Sequence, residues 1–335
     1  LDDEHETEYR EYLAEKYGRR KQMMTGIHIN FSFDDGFFDS LREYYPEKSM
    51  IVLKNDIYLK LARNYLHFYW LIVYLFGATP KTSSGFYENE TLTATPVRSI
   101  HNSSKGYENS YDVKVRFGSI DEYVKDLQKN IAQGRLRSER EFYNPVRLRR
   151  GEKAYELQLK GVQYLEFRGY DLNPFDENGI TREGLRFIHL FLLYILTLDI
   201  EDFDLEMAAI KRAKVAMEPP NSKTAYFMEA IEFFEGMEAF YTKMNVKNQD
   251  KKILSKFKRM IQLPEETLSA KMLTYARMDA DYLMRLAKEH KEKFLKLSRL
   301  FEMNEFPHHK ELNEFIKKKF QSEKGEVKHE KMGKE

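Results

Sequence analysis

The chain has 335 residues, of which 42% are hydrophobic and 14% aromatic, enough for one large domain or two ordinary ones with a sizeable core. Charge is abundant but balanced, at a formal net +1, which argues against a nucleic-acid binder. There is no cysteine, which excludes disulfides, thiolate metal sites and a cysteine nucleophile and fits a reducing, cytoplasmic setting.

The start is acidic, unlike a secretory signal, and begins at Leu1 like a cut or processed end. The pattern predicts a helix over 5–18, closed by Gly18. Residues 22–33 read as a strand: Ile27, Ile29, Phe31 and Phe33 point one way, and Gly26, His28, Asn30 and Ser32 the other. Asp34-Asp35-Gly36 ends it. A long, mostly buried helix is predicted over 51–76. Its uncharged run, 68–78, is about eleven residues, short of the roughly twenty that a bilayer span needs. No membrane partner is expected.

A polar loop follows over about 79–110 and carries Arg98 and Tyr107. Loops of this length are usually functional or disordered. A short strand over 111–117 and a helix over 120–133 come next. A basic stretch, 135–150, contains Tyr143, Arg147, Arg149 and Arg150. It leads to a strand over 161–172. There Glu166 and Arg168 share a face, flanked by Tyr164 and Tyr170, with Gln163, Leu165 and Phe167 facing the other way.

Beyond Pro174 the chain reads as helical. Thr181 is an N-cap, 184–198 a central buried helix, and 203–217, 224–244, 249–261 and 267–303 amphipathic helices. In the last, Leu283, Leu286, Ala287, His290, Phe294, Leu297 and Phe301 share a face. The tail from about 322 is expected to be disordered. The order, mixed elements first and then helices, indicates an α+β fold with an antiparallel sheet.

Each candidate has two readings. His28 is a ligand or phosphate donor, or a surface histidine. Glu166 with Arg168 is a structural ion pair, or an acceptor for a cation beside a donor fork for a phosphate. The arginines at 147–150 are a solvated face, or capture a carboxylate or phosphate with Tyr143 as a wall. His308-His309 reads as surface. No glycine-rich phosphate loop, dinucleotide fingerprint, zinc-protease motif or nucleophile elbow is present.

Five segments in order resemble glutamate–cysteine ligase of the bacterial type, also the first module of bifunctional glutathione synthetases. They are Met24-Thr25-Gly26-Ile27-His28-Ile29-Asn30-Phe31-Ser32-Phe33; Tyr74-Leu75-Phe76-Gly77-Ala78-Thr79-Pro80; Ala94-Thr95-Pro96-Val97-Arg98 with Gly106-Tyr107-Glu108-Asn109; Glu141-Phe142-Tyr143-Asn144-Pro145-Val146-Arg147; and Gly161 to Phe175. The resemblance implies a glutamine-synthetase-like antiparallel sheet, here incomplete, shaped as a funnel with a predominantly helical C-terminal half. Residues 1–200 would be the sheet part, 201–321 the helical part and 322–335 the tail.

It implies that ATP phosphorylates the γ-carboxylate of glutamate and that the amine of cysteine then attacks, the first step of glutathione synthesis. By position, His28 and Glu166 are implied Mg²⁺ (or Mn²⁺) ligands, and Arg168, with Asn30, faces the nucleotide's phosphates. Glu166 and Arg168 are the implied catalytic pair. Arg98, Tyr107, Tyr143, Arg147 and Arg150 are implied to bind the amino acids. The pattern departs at Ile29, Pro96 and Gly169, and the Arg98–Tyr107 spacing is stretched. The family has a longer N-terminal portion with further acidic ligands, so the chain is expected to be the C-terminal portion of a ligase. The alternatives are a related carboxylate–amine ligase with another acceptor, or a non-catalytic remnant acting as a binding protein.

Overall fold

The computed structural model describes residues 4–82, 86, 95–278, 281–300 and 314. Two compact units divide the chain, Leu1–Ala280 and Asp281–Glu335. The expected disordered tail and the His308-His309 pair lie outside the described residues.

The first unit centres on one helix. After α1 (Glu4–Tyr17) and β1 (Gly26–Phe31), α2 (Asp35–Tyr44) leads into α3 (Met50–Phe76). The hydroxyl of Ser49 accepts from Val52 N and starts α3; Gly77 closes it. Its second half is apolar on every side, so it must be covered all round. The sheet covers one side, α6 (Arg182–Leu196) and α7 (Leu205–Ala216) others. Leu61 and Trp70 are fully buried; truncating Leu61 to Ala would cost about 2–5 kcal/mol.

Among the described residues the sheet has three antiparallel strands, in the order β1-β3-β2, where β2 is Val146–Arg149 and β3 is Tyr164–Asp171. Val146, Leu148, Leu165 and Phe167 form its buried face, against α3. The other face carries His28, Asn30, Arg147, Glu166 and Arg168. This is a small antiparallel sheet in a mostly helical chain.

The register holds one irregularity. Ile27 pairs with Tyr170, but Ile29 pairs with Phe167. β3 therefore carries one extra residue opposite His28, a β-bulge. The bulge corrects the expected alternation: Tyr170 does not flank Arg168 but turns into the core, edge-on to Phe76 at 5.5 Å between centroids. Asp171 returns to the site face, paired with Gly26.

Other boundaries also differ. The strand expected over 22–33 is shorter, because residues Lys21–Met23 form a 3₁₀ turn. Residues 111–117 are irregular rather than a strand. Their backbone groups are satisfied by side chains instead of a ladder: Arg116 N donates to Asp126 (2.9 Å), and Phe117 O and Lys114 O accept from Arg63 (2.9 Å) and Asn130 (3.0 Å). β1 ends at Phe31, short of Asp34, which instead caps α2, accepting from Phe37 N at 2.8 Å.

α4 (Ile120–Ala132), α5 (Glu156–Lys160), α8 (Phe227–Lys243) and α9 (Asn248–Gln262) complete the frame with α10 (Leu268–Met278). Thr181 caps α6 as expected, accepting from Gly184 N. The single helix expected over 267–303 is two, α10 and α11 (Tyr282–Leu300). In α11, the second unit's described helix, Phe294 is 71% exposed. The side chain of Leu297 and all of Phe301 lie outside the described residues.

Candidate active site

The bulge and the strand pairing gather the first cluster. His28 Nδ1 lies 3.2 Å from Glu166 Oε1, and Arg168 Nε donates to His28 Nε2 at 3.4 Å. Nδ1 thus faces the carboxylate, and Nε2 accepts from Arg168. Glu166 lies between Asn30 on β1 and Arg147 on β2. Its Oε2 is buried and makes no hydrogen bond; Arg149 Nε is 3.6 Å away. Burial would push this carboxyl up. The hydrogen bond from His28 and the charges of Arg168, Arg147 and Arg149 outweigh it, and hold it down to about 2.

Arg168 is mostly buried yet weakly held. Besides His28, its guanidinium reaches Phe142 O at 3.4 Å and lies 5.9 Å from the Tyr143 ring. It borders an open cavity of about 410 Å³, lined also by His28, His101, Tyr107 and Tyr143.

Tyr107 and Tyr143 form the aromatic wall, their hydroxyls 2.5 Å and their centroids 4.4 Å apart. Burial pushes the Tyr107 phenol up to about 12. Tyr17 of α1 stands edge-on to both rings. The wall is anchored from below by Asn109, which accepts from Tyr143 N at 2.6 Å and donates to Tyr17 (2.9 Å) and Glu141 O (2.8 Å). The fully buried Glu141 carboxylate takes Lys16 and Tyr17, each at 2.6 Å. Burial would raise its pKa; the hydrogen bonds from Arg137 N, Lys16 and Tyr17 and the Lys16 charge outweigh this and lower it.

Three expected substrate binders are not brought to this cavity. Arg98 is fully buried over Tyr74, at 4.0 Å, and donates to the carbonyls of Pro219 (3.3 Å), Pro220 (3.3 Å) and Ser222 (2.8 Å). It clamps the turn after α7. Arg147 is buried too, donating to Phe142 O and to Arg140 O (2.7 Å); burial and the nearby Arg168 push it down to about 10. Arg150 donates to Gly161 O at 2.5 Å. Arg147 and Arg150 instead border a separate small cleft with Lys153. Asn30 shares the face of His28 but does not border the cavity.

The cavity position is taken three residues after Arg98, by His101. Its Nδ1 lies 2.6 Å from Asp171 Oδ1. Asp171 is fully enclosed, accepting from Ala78 N (2.7 Å), Thr79 and Ser99 (2.9 Å each) and Asn102 (3.1 Å). Sequence reading missed His101, Asp171 and Glu141. The stretched Arg98–Tyr107 spacing is the signal that could have found His101.

For a divalent ion, the fit rests on Glu166 Oε2, a buried anionic oxygen with no hydrogen bond, with the His28 ring beside this carboxylate. Hard cations choose such oxygens. Among the described residues no group of three His, Cys, Asp or Glu is placed to hold an ion, so these two fit as part of a ligand set.

A sequence model of the glutamate-cysteine ligase family matches residues 2–217. The glutathione biosynthesis bifunctional protein of Enterococcus faecalis is 37% identical over 274 residues, 79% of this chain and 36% of that protein. Its counterpart in Pasteurella multocida is 40% identical over 234 residues, 68% of this chain and 31% of that protein.

The crystal structure of a bifunctional glutathione synthetase from Pasteurella multocida matches with a TM-score of 0.81 at 33% identity, over 88% of this chain and 40% of that one. That of glutamate–cysteine ligase from Francisella tularensis in complex with AMP gives 0.72 at 24% identity, over 84% and 66%, and speaks to the fold alone. The chain belongs to the glutamate-cysteine ligase family. It spans about a third of the length of the curated relatives it matches.

Among the described residues no helix is long and apolar enough to cross a membrane.

Proposed function

We propose that the protein joins the γ-carboxyl of glutamate to the amine of cysteine at the expense of ATP, through γ-glutamyl phosphate, in the cytoplasm, on a glutamine-synthetase-like sheet. The observation that carries this is His28 and Arg168 on a cavity walled by Tyr107 and Tyr143, with Glu166 behind them against His28, in a chain of this family.

Phosphoryl transfer is catalysed by positioning and charge stabilisation. Arg168, loosely tied and cationic, would face the transferred group. Glu166 and His28 would hold Mg²⁺ or Mn²⁺ together with phosphate oxygens and water, and the ion would spread the phosphoryl charge. The tyrosine pair would exclude water from the acyl phosphate, as amide formation requires. Arg98, Arg147 and Arg150 would support the site through the backbone they clamp rather than touch substrate.

The test is product analysis with ATP, Mg²⁺, glutamate and cysteine. γ-Glutamylcysteine and ADP should form one to one, and Glu166→Ala should abolish both. ADP release that ignores glutamate would sink the ligase reading. Full activity in Glu166→Ala would sink the metal assignment.

A further inference from the structure

Amide formation has a requirement that phosphoryl transfer does not. The acceptor amine is an ammonium ion at neutral pH and cannot attack until it loses a proton. The cluster at His28 supplies no base for this: Glu166 is hemmed in by arginines and His28 leans on it. The cavity holds a second histidine.

His101 sits on the loop after α3. Its ring lies against the hollow left by Gly26, where an added Cβ would be 2.9 Å from Cε1. Nδ1 is fixed on Asp171 Oδ1 at 2.6 Å. Asp171 accepts from a backbone amide, two hydroxyls and a side-chain amide. Burial would raise its pKa, but those bonds and His101 outweigh it and keep it below the ordinary carboxylate range. An ionised acceptor requires the proton on Nδ1 and leaves the Nε2 lone pair unspent. Such a carboxylate fixes an imidazole's tautomer and stabilises it once protonated. The histidine side chain is 16% exposed and borders the cavity.

The other titratable or charged groups on the cavity are His28 on β1, Tyr69 on α3, Arg168 on β3 and Arg212 on α7, with Glu108, Tyr107 and Tyr143 from the loops. Arg212 and Glu108 are paired at 2.6 Å. Tyr69 is spent on Asn102 and Gly169 O.

We infer that His101, oriented by Asp171, is the base that takes the proton from the acceptor's ammonium. Nε2 receives that proton. The amine nitrogen forms the C–N bond to the γ-acyl carbon, the C–O bond to phosphate breaks, and phosphate leaves with the electron pair. The second amine proton departs with the phosphate, and the imidazolium returns its own to water. This assignment rests on the ligase reading.

The experiment compares two acceptors in wild type and His101→Gln, with ATP, Mg²⁺ and glutamate. Cysteine needs the base; hydroxylamine, already unprotonated at neutral pH, does not. His101→Gln should lower γ-glutamylcysteine formation by about 10²–10⁴-fold and leave glutamyl hydroxamate formation within a fewfold of wild type. Its loss with cysteine should shrink as pH rises and free amine accumulates. Equal losses with both acceptors, or no loss with either, would overturn the inference alone. A wild type that forms neither product would overturn the ligase reading, and this inference with it. A thermal melt confirms that the variant is folded, and Asp171→Glu, which keeps the carboxylate, should retain more cysteine activity than His101→Gln.

Discussion

The hydroxyl of Tyr69 occupies the place where a side chain at position 169 would begin: a Cβ built on Gly169 would lie 1.5 Å from its oxygen and 2.2 Å from the ring carbon that bears it. Tyr69 in turn donates to Gly169 O at 3.0 Å. The glycine in the bulge and the tyrosine on α3 are a matched pair. Gly169→Ala should destabilise the protein by at least about 1–3 kcal/mol. Adding Tyr69→Phe should recover only part of that, because the ring carbon still intrudes. Urea unfolding of the two singles and the double checks this; additive losses would count against the pairing.

Glu166 gives a pH dependence. Its folded-state pKa, about 2, lies below the ordinary 4.5. A depressed carboxyl contributes stability that is fully present above the unfolded value and is lost as pH falls through the folded one. The window is therefore pH 4.5 down to 2, and the amount at stake is up to about 3 kcal/mol. Glu166→Gln should be less stable than wild type at pH 7, with the gap closing across that window. A gap independent of pH in urea melts would contradict it.

Arg98 should matter for stability before it matters for binding. Two guanidinium nitrogens of Arg98 reach the carbonyls of Pro219, Pro220 and Ser222 separately, a spread that the single nitrogen of a lysine lacks, so Arg98→Lys should cost about 2–3 kcal/mol. The KM for either amino acid should stay within about twofold. Unchanged melting with a KM raised tenfold would return Arg98 to the substrate.

Metal affinity offers a readout independent of turnover. With a non-hydrolysable ATP analogue, Mn²⁺ should bind, as followed by its electron paramagnetic resonance signal, and chelation should release it. Glu166→Gln should weaken that binding by at least about tenfold. Binding unaffected by the substitution would move the ion elsewhere.

Much of this was legible in the sequence because periodicity and caps carry it. The Thr181 cap, the apolar α3 and the face shared by Glu166 and Arg168 all follow from spacing. The pairing of His28 with Glu166 followed from resemblance. What was not legible depends on tertiary context. β2 is written Val-Arg-Leu-Arg, and its arginines read as a solvated face or as anion capture, whereas Arg147 donates inward to backbone carbonyls. Residues 111–117 have strand composition, but side chains from α3 and α4 claim their backbone. Arg98 matched a binding motif by residue type, but its guanidinium is folded onto the carbonyls of Pro219, Pro220 and Ser222, and His101 borders the cavity. No local pattern marks a bulge, so Tyr170 was assigned to the wrong face.

The bulge has a consequence for parity. Glu166 and Asp171 are an odd number of residues apart, and in a regular strand they would face opposite sides of the sheet. One additional residue lets a single strand hold the carboxylate beside His28 and the carboxylate behind His101 on the same side. Deleting Gly169 would remove the bulge and leave the two acids four apart, an even interval that a regular strand also puts on one face; with the bulge kept, losing or gaining one residue elsewhere in the interval would turn one of them toward α3, so bulge and interval must change together.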